Sequence, residues 1–367
     1  TLFRSQRVGK TDRIQVNTIN KRHLIKLLGA IPLAASLPRI GNAEKISNFS
    51  KLKGGYSQRL KNILTSGELP YIDIESSCDS TKLNIDSVAK SMDKLNIGLM
   101  ALSADIGKGQ FEKGVRFDNL SERLLASYAD RFIPVGNGGQ GPAWKDATNE
   151  FLNAQEIAAS TKQIMLLGEF EFRHYPSPRQ VKRGALDRDE HVPIDGLIGQ
   201  RVFGISEQTG LSIQIHYEIE DELLVPLEKM LERYPRAKVI WCHFAQIRYA
   251  ERAVRYTPAY VDSLIKRFPN LFFDTAFGGS GSIYPLSNQR HSRVWANDGS
   301  LKSEWLDLIA AYPKRFVSAL DLGGDRMERI AEWDQNHRNF LKRLPSETQH
   351  QVAYRSAWSL LFDEEFA

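Results

Sequence analysis

The sequence predicts a (β/α)8 barrel with an extra C-terminal helix. Three observations carry that expectation. Eight short apolar runs alternate with amphipathic stretches between residues 71 and 341, close to the usual length of such a barrel. Three of these runs end on side chains able to bind a metal: Leu211–His216, Lys238–His243 and Phe316–Asp321. In a barrel the chemistry gathers at the C-terminal ends of the strands, so repetition at that place matters more than any one histidine. Finally, no glycine-rich phosphate fingerprint follows the first run, which weakens the alternative of a doubly wound open sheet binding a dinucleotide.

The expected strands are Tyr71–Glu75, Gly98–Leu102, Phe132–Val135, Ile164–Phe170, Ser212–His216, Val239–His243, Leu271–Thr275 and Phe316–Leu320. The expected helices are Ser87–Leu95, Ser121–Ala129, Ala147–Ala159, Glu222–Tyr234, Pro258–Phe268, Leu301–Tyr312 and Arg326–Leu341. Asp221 reads as an N-cap, and Pro235 and Pro269 as helix stops just before strands. Glu347–Phe362 reads as a helix outside the barrel. Two long segments, Phe172–Val192 and Ala276–Ser300, follow the fourth and seventh strands and read as substrate lids.

The chain has 367 residues and a net charge of +5, but the charge is concentrated at one end. Residues 1–43 hold eight Lys and Arg against one acid, Asp12; they carry +7 and leave −2 for the rest. A body so close to neutral argues against a nucleic-acid partner. No apolar run reaches the ~18 residues needed to span a membrane. Asn20–Lys26 is basic, Leu27–Leu37 is apolar, and Gly41-Asn42-Ala43 offers small residues before a cut at Glu44. This segment is similar to a twin-arginine export signal with Lys21 in place of the first arginine, and it predicts a periplasmic or secreted protein. The expected division is therefore 1–43 export segment, 44–69 N-terminal extension and 70–367 barrel. Cys78 and Cys242 are too few and too far apart for a zinc-finger spacing. Strand alternation turns Cys242 away from the face of His243, which argues against a disulfide.

In Tyr71–Ser77, alternation places Asp73, Glu75 and Ser77 on one face; in Met165–Arg173 it does the same for Glu169, Glu171 and Arg173. Buried carboxylates at strand ends are costly unless a metal or donors pair with them. With His216, His243 and Asp321, the candidate metal ligands are Glu75 and Glu169. Imidazole with carboxylate suits zinc, manganese or iron, and an oxygen-rich set moves the balance toward manganese, so zinc and manganese are the cations expected. Arg173 and His174 are the candidates for a substrate carboxylate or phosphate.

These motifs resemble the amidohydrolase superfamily, nearest its amidohydrolase 2 branch, over roughly residues 70–362. The carriers are Tyr71-Ile-Asp-Ile-Glu75, Ile213-Gln-Ile-His216, Val239-Ile-Trp-Cys-His243-Phe, Asn270-Leu-Phe-Phe-Asp-Thr275-Ala and Lys314-Arg-Phe-Val-Ser-Ala-Leu-Asp321. The resemblance implies a divalent metal at His216, at His243 in two-metal members, and at Asp321, which also serves as general base. The departure is at the first strand: the family's Asp-x-His-x-His is Asp73-Ile74-Glu75-Ser76-Ser77 here. Gly168-Glu169 resembles the fourth-strand Gly-Glu of TatD-type hydrolases, so Glu169 is placed to replace a lost ligand. The function expected is metal-dependent hydrolysis of an ester, lactone, amide or phosphoester of a small molecule, with Asp321 and His243 catalytic. Two alternatives stand beside it: a non-oxidative decarboxylase of an aromatic acid, suggested by Glu75, and a binding protein that has lost its metal, suggested by Ser77.

Overall fold

A computed structural model describes residues 49–139 and 148–367. The proposed export segment 1–43 and its cut lie outside the described residues. Among those described, eight parallel strands form a ring: β1 (Tyr71–Cys78), β2 (Ile97–Ala104), β3 (Phe132–Ile133), β4 (Leu166–His174), β5 (Ser212–Tyr217), β6 (Lys238–Trp241), β7 (Leu271–Asp274) and β8 (Phe316–Val317). Regular ladders join β1 to β2 to β3, and β4 through β8 in order. Two seams complete the ring. At the first, Gly136 N donates to Leu166 O at 2.9 Å and Met165 N to Pro134 O at 2.8 Å, tying the end of β3 to β4. At the second, Ile74 N donates to Ser318 O, Asp321 N to Glu75 O and Ser77 N to Leu322 O, tying β1 to the continuation of β8. The barrel is thus closed by its own backbone, and the C-terminal end of β4 also takes up a short antiparallel strand, Glu190–His191.

A helix follows each strand, as the alternation predicts. Helix 85–95 starts at Asn84, whose side chain accepts from Ser87 N at 3.0 Å, and it ends at Asn96 in the left-handed region. Helix 258–267 has Thr257 as its cap and Pro258 in its first turn. Two expectations are corrected. Asp221 is the first helical residue rather than the cap; Glu220 precedes the helix, and the Asp221 carboxylate accepts Val254 N and Arg255 N. Helix Leu197–Thr209 has no counterpart in the sequence reading. Gly196, Gly199 and Gly204 punctuate it like a loop, and glycine normally weakens a helix. At Gly199 the reason is steric, because a Cβ there would stand 1.7 Å from Ile194 O.

The N-terminal extension contains helix Phe49–Thr65, which docks on the barrel through buried Tyr56 and Leu60. Arg59 fastens it by donating to Gly98 O and Ile97 O. The expected C-terminal helix runs from Ser346 to Phe362, with a wider π turn at Gln351–Arg355. It packs against β1 and β8, and Val352 O accepts the buried Ser318 hydroxyl at 3.1 Å. Trp358 is fully buried there, with its ring centroid 4.4 Å from that of Phe362. Truncating it leaves a large cavity, so Trp358→Ala is expected to cost about 3–5 kcal/mol. Urea unfolding monitored by far-UV circular dichroism checks this; an unchanged midpoint would mean that the C-terminal helix adds nothing to the barrel. Both cysteines are buried free thiols.

Candidate active site

The strand ends converge on a cavity of about 320 Å3 at the C-terminal rim. Glu75 and Ser77 from β1, Glu169 and Glu171 from β4, His216 from β5, His243 beyond β6 and Asp321 beyond β8 all line it. A second cavity of about 310 Å3 lies at the opposite ends of β6 and β7, around Lys238, Asn270 and Asp363, without such a cluster.

Glu169 is the hub. Its Oε1 lies 3.1 Å from His216 Nδ1 and 3.1 Å from His243 Nε2. The two rings pack edge to face at 4.6 Å. The opposite nitrogens explain which faces are presented. His243 Nδ1 is 3.2 Å from Ala276 O, which can only accept, so Nδ1 carries hydrogen and Nε2 points to Glu169. His216 Nε2 is 3.3 Å from Glu218 Oε1, so that nitrogen carries hydrogen and Nδ1 faces Glu169. Burial would raise the Glu169 carboxyl, but the two histidines hold it well below the usual range. Burial disfavours a charged His243, yet Glu169, Asp321 and Asp274 together push it up to about 10. His216 is raised for the same reason, with Glu169 and Glu218 as its partners.

The backbone pays to aim these groups. His243 has φ +60° and Asp321 has φ +51°, in the left-handed region that non-glycine residues seldom occupy. Such conformations cluster where side-chain direction is over-determined by function. This also explains why β6 stops at Trp241, before His243.

Two groups of side chains bring ligand atoms within 4.8 Å of one another: Glu169, His216 and His243, and Glu75, His243 and Asp274. Asp274 Oδ1 accepts His243 N at 2.8 Å and Ala276 N at 3.0 Å, while its Oδ2 is buried without a partner. Glu75 Oε2 is likewise buried and unpartnered. Burial, then the neighbouring Asp321, Glu169 and Asp274, lifts Glu75 well above the usual carboxylate range. The two groups share His243, and each brings imidazole and carboxylate together, a nitrogen–oxygen donor set that fits a divalent cation.

Other expected site residues fall elsewhere. Asp321 lines the cavity but belongs to neither group; Arg326 grips both its oxygens, through Nη2 to Oδ1 at 2.7 Å and Nη1 to Oδ2. Arg173 does not line the cavity. It is paired with Asp189, donates to Glu190 O at 3.0 Å and lies 3.7 Å over the Tyr175 ring. His174 does line it, with its ring centroid 4.4 Å from that of His216 and its Nδ1 3.0 Å from Arg188 O. Glu171 is paired with Arg188. Ser77 donates to Asp105 Oδ2 at 3.2 Å, and Asp73 is tied to Leu320 N and Ser76. Of the two long segments, 172–192 lines the cavity through helix Pro178–Lys182 and its neighbours, whereas no residue of 276–300 is in the lining. Sequence reasoning missed Asp105, Arg248 and Arg326, which line the cavity from segments without a periodic signal, and Glu218, which stands behind His216.

No family model and no curated protein matches the chain. Solved structures do. A dihydroxybenzoic acid decarboxylase from Polaromonas sp. JS666, with bound manganese and the inhibitor 2-nitroresorcinol, aligns at TM-score 0.47 and 12% identity, covering 80% of this chain and 96% of that one. A 4-oxalomesaconate hydratase from Rhodopseudomonas palustris aligns at 0.46 and 14%, covering 85% and 92%. An amidohydrolase from Burkholderia multivorans with bound HEPES aligns at 0.42 and 13%, covering 80% and 99%. The barrel itself stands on the strand pairing within this chain, and what the chain is similar to, at this distance, are amidohydrolases together with a decarboxylase and a hydratase.

Proposed function

We propose that this chain is a metal-dependent enzyme of the amidohydrolase superfamily that hydrolyses an ester, lactone, amide or phosphoester of a small molecule. The observation that carries the reading is the convergence of Glu169, His216 and His243 on one point, with the unpartnered Glu75 and Asp274 oxygens beside it. The order of motifs along the barrel supports the family, and the basic and apolar segment before residue 44 supports export. Zinc and manganese are the cations such donors favour. A bound divalent cation supplies Lewis acidity toward the scissile bond and toward water.

The chain's own groups do the rest. Glu169, His216 and His243 hold the cation, and Glu75 and Asp274 stand as its further donors. Asp274 also sets the direction of His243 by accepting its backbone N–H. Asp321, oriented by its two-point contact with Arg326, is the proton acceptor at the cavity wall. The 172–192 segment lines the cavity and contributes His174.

Metal analysis tests this reading. Protein dialysed against manganese or zinc is expected to retain stoichiometric metal, and His216→Ala to lose it. Metal-loaded protein is then expected to turn over activated esters or lactones and to release no carbon dioxide from aromatic acids. A wild-type chain that retains no metal would overturn the proposal.

A further inference from the structure

Arg248 stands against the cavity wall next to the cluster, and the hydrolytic roles above leave it unused. Its side chain is 5% exposed. Nε donates to Glu218 Oε1 at 3.0 Å and Nη2 to Gln246 Oε1 at 3.1 Å. The guanidinium lies 4.9 Å over the Tyr284 ring, which belongs to the long segment after β7. That segment therefore acts from behind, bracing Arg248 rather than covering the cavity. Glu218, 3% exposed in its side chain, is braced in turn: its Oε1 also accepts Tyr175 N at 3.2 Å and lies 3.3 Å from His216 Nε2. One carboxylate thus fixes both the arginine and a proposed metal-binding histidine.

Nε and Nη2 each have an acceptor, whereas Nη1 is buried and has no partner among the described residues. A buried charged donor without an acceptor is costly. An arginine held on three sides with one nitrogen bare is preorganised for an incoming acceptor, and a charged donor gains most from an ionised one. We propose that Arg248 binds an anionic oxygen of the substrate, of the carboxylate or phosphate class, through Nη1, and that Glu218 positions Arg248 for this contact. The proposal deepens the hydrolase reading and rests on it in taking the cavity as the active site. It moves the anion-recognition role from Arg173, which is committed to Asp189, to Arg248.

Binding of benzoate and of inorganic phosphate to the manganese-loaded chain and to the metal-free chain, by titration calorimetry, tests it. At least one of the two anions is expected to bind, and Arg248→Met to weaken it by about tenfold to a hundredfold, the value of one charged hydrogen bond. Glu218→Gln is expected to weaken the same anion in the wild-type background but to add little to Arg248→Met, a dependence on Arg248 that a general loss of stability would not show. Arg248→Lys keeps the charge but not Nη1, and replaces the Met variant if that fails to fold. Benzoate dependence identifies a carboxylate and phosphate dependence a phosphate. Binding of neither anion, or equal affinity in wild type and Arg248 variants, overturns the proposal. A wild type that takes up no manganese yet loses anion affinity on Arg248→Met overturns the hydrolase reading while supporting this one.

Discussion

Glu169→Ala is expected to weaken divalent cation binding by at least about a hundredfold, since one ligand's share of a structural site's binding free energy is about 3 kcal/mol. Glu169 is the one carboxylate in contact with both histidines, so its loss removes a donor and the charge that aligns the other two. Competition against a chelating dye checks this; near wild-type affinity would show that the cation, if bound, sits elsewhere. The same contacts predict a pH signature. In the metal-free protein His243 is held at about 10, above its ordinary 6.5, chiefly by Glu169 acting against burial. A raised basic group stabilises fully below its unfolded value and loses that contribution as pH rises through the folded value. The metal-free protein is therefore expected to lose stability between about pH 6.5 and 10, melting about 2 °C lower or more at pH 10 than at pH 7. Glu169 works in the opposite direction. Held below its ordinary 4.5 by the two histidines, it stabilises above that value and loses its contribution as pH falls through its lowered one. Cation uptake near pH 8 is expected to release a proton from His243, held at about 10, which calorimetry in two buffers of different ionisation heat will read. No proton release would mean that His243 is not a ligand.

Gly168→Ala is expected to destabilise the barrel by about 3 kcal/mol or more and to displace Glu169. Gly168 has φ +113°, where a side chain is strained whatever the space. A Cβ there would also stand 2.6 Å from Gln214 O and 2.9 Å from Gln214 Cβ, both on the neighbouring strand β5. Neither atom is the end of a flexible side chain, so β4 and β5 must part next to the residue that holds both histidines. Gln214 is itself fixed, donating to Ile74 O at 2.6 Å across the barrel interior. Chemical denaturation together with metal affinity measures the effect. A stable Gly168→Ala variant with intact metal affinity would show that the strands accommodate the methyl.

Glu75, Glu169, His216, His243 and Asp321 were legible as cavity residues because strands have a period of two and a barrel puts strand ends together. Their division of labour was not. Asp321 looked like a ligand because it ends the last strand, yet Arg326, five residues on in an irregular turn, occupies it. Asp274 was not among the expected ligands; its Oδ1 holds two backbone amides, while its carboxylate groups with Glu75 and His243 and its Oδ2 has no partner among the described residues. Arg173 shares the strand face of Glu169 by alternation, but the register shift between Leu167 and Phe170 and a second one after Glu171 break the period that the expectation assumed.

The sequence by itself determined the barrel, its order of strands and the side chains offered at its rim, since apolar periodicity and helix punctuation act locally along the chain. Only the tertiary structure decided which nitrogen each histidine presents, which carboxylates stay unpaired and that Nη1 of Arg248 has no partner among the described residues. Those outcomes depend on partners brought together from distant loops, such as Glu218 with Arg248 and Glu169 with His243. Their pairing follows from distance in space, for which separation along the chain carries no signal.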